Sequence, residues 1–549
     1  MAGENSVPHG TETVRWFMSL SSREATARSQ ALDQISSQIE TLLEPTSPQD
    51  TDEGNKSAAG NNIVEFMAHL LKLSSQCPFE DVRERCSSLL NEYKERGIRV
   101  PRRLICGPSA FVPLHKVVQS DTDDEEQSRM FIDVFLQTSR LDHVTQVMGY
   151  HPEYVEHFVR TQSYMLRGDG PLPYEYRHYI AIMAAARHRC VYIVRLQETE
   201  FLLQGGDPEW LKGLNHIPQK LRHLNDLNKK LAHRPWLVTK DDIEKLLRGA
   251  DNWSVSELVH AIALLSHFHS LCSFVYGCGI NPEVDMEGGH TIRPPSVTET
   301  ADAKETNCQN SADANHVHLD LESPEGGVEE LMQKMKKLEE SEAEEPTQEE
   351  MVKRFERVEK QSVELLPESE EHVNHLKADL SKYLDDPEFT YQDFAKRGLT
   401  GTIPTFRVQD YSWEDHGFSL MNRLYSEIGT LLDDKFRVAY DLTYNTMGMQ
   451  VNVDTSSLRR AIWNYIHCMF GIRHDDYDYG EVNHLLERSL KAYIKTVACY
   501  PERCTKKDFD GFWRGFKLSE KVHVNLMVLD ARMQAELLYA LRAVMKYMT

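Results

Sequence analysis

Apolar positions recur at helical spacing along most of this chain, and the alternation that marks a strand is absent over any useful length. Leu32, Ile35, Ile39 and Leu42 outline one amphipathic helix, and Ile63, Phe66, Met67, Leu70 and Leu71 outline a second. PTSPQDTDEGNKSAAGNN (45–62), between them, reads as a linker. Residues 1–97 are thus expected to form a small helical appendage with no chemistry of its own. From 98 to 280 aromatic and aliphatic residues become denser, with helical runs punctuated by Gly205-Gly206-Asp207-Pro208 and Pro235, and this predicts a first folded lobe. Its most apolar stretch, HAIALLSHFHSLCSFVYGCGI (260–280), is interrupted by His260, His267, His269 and several serines, which predicts a buried core helix rather than a membrane span.

Beyond this stretch the composition shifts. Residues 281–325 lack the apolar density that offsets chain entropy and are expected to be disordered. Val328, Leu331, Met332, Met335 and Leu338 mark one amphipathic helix, and an acidic tract runs on to Asp386, so 281–386 reads as a partly disordered acidic linker. A second lobe is expected over 387–549, with helices at 456–472, 479–499 and 521–548. Arg177-His178-Tyr179-Ile180 and Arg459-Arg460-Ala461-Ile462 each open a long helix, a weak echo of one lobe in the other. The predicted fold class is all-α.

Charge narrows the function. With 62 Lys+Arg against 85 Asp+Glu and a net charge of -23, the chain lacks the basic footprint of a sequence-blind nucleic-acid binder. None of the ten cysteines forms a C-x-x-C pair, so neither a redox dithiol motif nor a zinc knuckle is predicted, and no metal or other cofactor is expected. MAGENSVPHGTET carries no targeting pattern, and with reduced thiols this predicts a cytoplasmic protein, with nuclear entry left open.

Several long strings then become informative: RHYIAIMAAARHRC (177–190), GGDPEWL (205–211), LAHRPWL (231–237), RRAIWNYIHCMFGIR (459–473), DDYDYGE (475–481) and EKVHVNL (520–526). In this order they resemble the sestrins, over 98–280 and 387–549. The resemblance implies two helical lobes related by pseudo-twofold symmetry, each similar to the alkylhydroperoxidase D and carboxymuconolactone decarboxylase fold. It implies an amino-acid sensor that, without leucine, binds and inhibits the GATOR subcomplex activating the mTOR kinase pathway, and that leucine releases. A thiol-dependent alkylhydroperoxide reductase is the other activity it implies.

Free leucine needs a cation, an anion and an apolar pocket at fixed separations. The resemblance assigns its carboxylate to Arg459 and its ammonium to Glu520. It adds Thr443, Tyr444, Asn445 and Thr446 as a segment closing over the ligand, and Thr455 and Leu458 as further pocket positions. Asp454-Thr455-Ser456 has N-cap chemistry, which would aim the first turn and Arg459 at an anion. Trp513 and Glu520, seven residues apart, would share one face of a continuous helix, with the indole as a pocket wall. His523 lies one turn beyond Glu520, and His151 matches a family position near the interface of the lobes. Taken singly, Arg459 reads as an ion-paired arginine, Trp513 as core and Glu520 as a solvated helix-start acid; only the joint match assigns them a ligand.

For the redox activity, the resemblance makes Cys190 the reactive thiolate, assisted by Tyr192 and by a histidine whose position here holds Gln197. Glutamine cannot relay a proton near neutral pH, so the assisting base is missing. Ile193 stands where a C-x-x-C partner would be, and a buried structural cysteine is the competing reading. His474-Asp475-Asp476-Tyr477-Asp478-Tyr479-Gly480-Glu481 lacks the ligand spacing of a calcium loop, and exposed Tyr with Asp would suit a basic, partly apolar partner. By resemblance, Ser254, Asp475 and Asp476 contact the GATOR subcomplex.

Overall fold

The computed structural model describes residues 15–43, 53–104, 107–249, 251–292, 326–340, 346–365, 379–399 and 403–549. These are predominantly helical, and the β-structure among them is confined to two-residue pairings. The chain divides into two compact units: Met1–Ser109, Pro113–Val147 and Asn281–Gly326 in the first, and Ala110–Val112, Met148–Ile280 and Gly327–Thr549 in the second. The two segments read from composition as separate lobes therefore share one unit over most of their length.

In the first unit, α1 (Ala25–Leu43), α2 (Glu53–Gln76) and α3 (Glu80–Glu95) bury Leu32, Ile35, Ile39, Phe66, Met67, Leu70, Val82, Cys86 and Leu89 together with Phe135. Residues 53–62, expected as linker, are helical. Once the apolar face beginning at Ile63 is nucleated, adding residues such as Lys56, Ala58 and Ala59 costs little. Residues 281–292, expected to be disordered, are ordered. Glu283 and Asp285 are buried against Lys72 and Arg140, at 2.6 Å from Lys72 Nζ and 3.1 Å from Arg140 Nη2 respectively, and His290–Thr291 pairs antiparallel with Arg102–Arg103. Composition missed this because the neutralising cations come from distant parts of the sequence. Residues 293–325 lie outside the described residues.

The second unit is built round two long helices, α7 (Val255–Gly277) and α11 (Leu518–Met548), which pack on each other along their length. α7 is long and apolar enough to cross a membrane, but it is buried here over all but its first turn and Tyr276, as suits a core helix. Around the pair stand α4 (Pro152–Arg167), α5 (Tyr174–Arg187), α6 (Val191–Leu203), α8 (Ile428–Asp441), α9 (Ser456–Met469) and α10 (Arg488–Cys499). The expected helix over 479–499 is broken at Leu486-Glu487, between Gly480–Leu485 and α10.

The echo read at 177–180 and 459–462 extends much further in space. Arg177 and Arg459 are each the fourth residue of a 14-residue helix, buried, and donate to backbone carbonyls, Leu172 O at 2.9 Å and Tyr440 O at 2.8 Å. Thr239 with Asp242, and Thr505 with Asp508, close matching capping boxes. α7 and α11 both begin with a capping box whose acid is the third helical residue, Glu257 and Glu520, followed one turn later by His260 and His523. His260 Nε2 meets Met165 O of α4 at 2.9 Å, and His523 Nε2 meets Ala439 O of α8 at 2.6 Å.

Candidate functional site

Although the two halves are alike, only one of them has an acid left over. Glu257 pairs with Lys220 at 2.8 Å, and the space over His260 is filled by the ring of Tyr425, stacked at 4.2 Å. In the second half the stretch between α8 and α9 folds back as a small hairpin, Thr446–Met447 against Gln450–Val451, turning at Gly448 with φ +60°. A Cβ at Gly448 would sit 3.0 Å from the Gly515 carbonyl, so only glycine brings the backbone this close. Its N–H donates to Glu520 at 2.8 Å to Oε1 and 3.1 Å to Oε2, and Lys517 N donates to Oε2 at 2.8 Å. Glu520 is 3% exposed. Burial pushes its pKa up against these backbone donors, and no described cationic side chain forms an ion pair with it.

Beside this acid lies a layer of neutral polar groups. Thr443 Oγ1 donates to His523 Nδ1 at 2.7 Å while His523 Nε2–H is given to Ala439 O, which fixes the tautomer. Burial, and then His151 with its ring centroid 5.8 Å away, push the pKa of His523 down to about 3. His151 is held in turn by Ser519 O at 2.8 Å. Thr455 Oγ1 donates to Thr443 O at 2.8 Å and accepts from Arg459 Nε at 3.0 Å. Arg459 Nη1 reaches Tyr440 O and Asp441 Oδ1, at 2.8 Å and 2.7 Å, while Nη2 has no acceptor among the described residues. Thr443, Thr455, Arg459, Glu520, His523 and His151 are therefore joined through a chain of direct contacts and neighbours on α11.

The structure departs from the sequence reading at Trp513 and refines it at Thr455. Trp513 does not share a helix face with Glu520: the helix Lys506–Gly511 ends first, Trp513 takes φ +45°, its ring stacks on Phe516 at 4.1 Å, and α11 starts only at Leu518. Gly511 and Gly515 favour that break, and the Glu520 capping box restarts the helix. Thr455 holds the N-cap position of α9, its carbonyl accepting Arg459 N at 2.9 Å, but its hydroxyl is committed to Thr443 and Arg459, and the side-chain acceptor of the string is Asp454, whose Oδ1 takes Ser456 N at 2.8 Å. Tyr444 stands 59% exposed. Asn445 accepts Val453 N through its carbonyl, Thr446 lies half-buried in the hairpin, and Leu458 is buried on α9.

Ser254 is exposed and caps α7, with Glu257 N donating to its Oγ at 3.2 Å. The loop after α9 differs from the expected surface. Asp475 is mostly enclosed and accepts from Arg473 Nη2 at 2.7 Å, Arg407 Nε at 3.2 Å and Gln409 N at 3.3 Å, while Tyr477 and Tyr479 are buried, so the aromatic half of that surface faces inward. The tyrosines are needed under the loop, where Tyr479 OH sits 3.0 Å from His474 N. Asp476 alone of the two aspartates is exposed.

Cys190 and Tyr192 are buried at the start of α6, and Gln197 turns its Oε1 to His178 Nδ1 at 2.9 Å. The sequence reading missed the polar network beside them. Arg532 on α11 reaches Glu536 at 3.1 Å, Ser273 at 2.8 Å, His188 at 2.8 Å and Ala232 O at 2.9 Å, and His269 bridges Glu536 and Asn228 at 2.8 Å each. Its sequence signal is the set of polar residues, His267, His269, Ser270 and Ser273, inside the most apolar helix.

Residues 107–548 match the family model described as PA26 p53-induced protein (sestrin). The chain is 54% identical to Sestrin-1 of Xenopus laevis over 86% of its own length and 98% of that protein. It is 54% identical to mouse Sestrin-3, over 83% and 95%, and 51% identical to human Sestrin-2, over 83% and 93%. With one family model covering most of the chain and relatives matched over nearly their whole length, this chain belongs to the sestrin family.

Proposed function

We propose that this chain is a leucine-responsive regulator of the cytosol: without leucine it binds and inhibits the GATOR subcomplex that activates mTOR signalling, and leucine releases it. The observation that carries the reading is the buried carboxylate of Glu520, which has backbone donors and the charge of Lys517 nearby but no ion pair among the described residues, whereas its counterpart Glu257 is paired with Lys220 at 2.8 Å. A buried carboxylate of this kind suits an ammonium brought by a ligand. Arg459 has Nη2 to offer a carboxylate, Thr443 and Thr455 supply hydroxyls, and Leu458 with the Trp513 and Phe516 stack supplies apolar surface. The Gly448 hairpin, already resting on Glu520, is the element a bound ammonium would hold or displace.

The test is Glu520→Gln, which keeps one oxygen for the backbone donors and removes the charge. Leucine at ~100 times its dissociation constant should stabilise the unmodified chain by ~2.7 kcal/mol in a thermal shift assay. The variant should show no shift, since an unpaired buried charge costs ~3–5 kcal/mol. It should also stay bound to the GATOR subcomplex when leucine is abundant. Leucine stabilisation of equal size in folded Glu520→Gln would refute the assignment.

A further inference from the structure

We propose that the cavity between α2, α3 and the chain that follows α3 binds a single-chain amphipathic phosphate, a phosphate monoester carrying an alkyl or acyl tail. On α3, Ser87, Leu90, Asn91 and Lys94 recur at i, i+3, i+4 and i+7, so one stripe of the helix lines the cavity. The helix stops at Gly97, whose φ of +81° lets Ile98 N reach back to Tyr93 O at 3.0 Å. That reversal returns Arg99, Val100, Pro101 and Arg102 to the same cavity. The antiparallel pairing of Arg102 with Thr291 brings Ile292 to it as well, and α2 adds Leu71. The cavity measures about 550 Å³, within the ~300–1,000 Å³ of small-molecule sites.

The lining has two chemistries. Leu90 and Pro101 are buried, and with Leu71, Val100 and Ile292 they make an apolar floor. Lys94, Arg99 and Arg102 are exposed and stand at the mouth. None of these three cations forms an ion pair among the described residues, although acids outnumber bases in this chain by 85 to 62. Elsewhere in the same unit Arg28, Lys72, Arg96 and Arg140 are each paired with a carboxylate. Three unpaired cations over one apolar floor suit an anion that brings its own tail. A phosphate monoester carries a charge close to -2 near neutral pH, so it draws on more than one cation, whereas a carboxylate needs one. The arginine forks match phosphate oxygens in bidentate fashion, and Lys94 adds a compact point charge. Ser87 and Asn91 supply further hydrogen-bonding groups in the same wall. Phosphate alone would leave the floor to water, and a neutral tail would leave the three cations unused.

Isothermal titration calorimetry of the full chain with monomeric dodecyl phosphate should give one saturable site, weakened by added salt. Inorganic phosphate, dodecanol and dodecanoate should each bind about tenfold more weakly or worse. Arg99→Gln combined with Arg102→Gln changes exposed side chains only, so melting without ligand should be unchanged while affinity falls about tenfold or more. Ile292→Ser, at a position 41% exposed, should weaken binding several-fold through the tail. Sedimentation with phosphatidylcholine vesicles containing phosphatidate separates the free amphiphile from a membrane surface, and the chain should stay in the supernatant. Uptake that does not saturate, inorganic phosphate or dodecanoate binding as tightly, equal affinity in the folded double variant, or capture by vesicles in place of the monomer would each overturn the proposal.

Discussion

Replacing Glu283 by glutamine tests how far a buried ion cluster holds a segment that composition alone would leave disordered. Its carboxylate is fully buried, with Oε2 2.6 Å from Lys72 Nζ and Oε1 2.7 Å from His143 N. Burial alone would push its pKa up, but His143, Lys72 and Arg140 together bring it down to about 2 from an ordinary 4.5. At ~1.4 kcal/mol for each tenfold change in proton affinity, the ionised form contributes about 3 kcal/mol. Asp285 stays 3.5 Å from Lys72 and partly compensates, so Glu283→Gln should cost about 2–3 kcal/mol rather than the ~3–5 of a stranded buried charge. Because the folded pKa lies below the unfolded one, the contribution is full above about pH 4.5 and is lost as the pH falls through about 2. The variant lacks it throughout, so the two proteins should converge in acid. For a unit of roughly 150–250 residues, each kcal/mol moves the melting temperature by about 2–4 °C, which gives a drop of about 4–12 °C at pH 7. Hydrogen exchange of the α2 amides around Lys72 should become faster in parallel. Unchanged exchange and melting at pH 7, or a gap that persists below about pH 2, would refute the reasoning.

Three further outcomes concern the loop after α9. Asp475→Ala should lower stability by about 1.5–3 kcal/mol, because it removes charged hydrogen bonds to Arg473 and Arg407; Asp476→Ala should leave melting unchanged while weakening capture of the GATOR subcomplex from leucine-starved cells, and undiminished capture by this folded variant would take Asp476 off the partner surface. His474, against the pull of Asp476 and Asp475, is pushed by burial down to about 4. The unfolded chain therefore takes a proton first, near pH 6.5, and stability is lost as the pH falls from about 6.5 to about 4. The His474 ring should titrate near 4 by NMR, and His474→Gln should flatten that part of the pH profile; a ring titrating near 6.5 would contradict this.

The sequence by itself determined the helical class, the core character of α7 and the family, because apolar spacing and long contiguous strings are properties of neighbours along the chain. It also made Arg459 and Glu520 candidates, but only through resemblance. Tertiary structure decided what each residue is bonded to. The buried acid Glu520 meets Gly448 N from 72 residues away, and Asp475 is consumed by Arg407 from 68 away. Glu283 looked like part of a disordered linker until Lys72, 211 residues distant, neutralised it. Trp513 shows the converse: its spacing to Glu520 was legible and misleading, because a capping box restarts the helix at 518 and breaks the periodicity on which the spacing rested. Periodicity reports which face of an element is buried, whereas the worth of a buried charge depends on its partner, and partners are chosen by packing between elements remote in sequence.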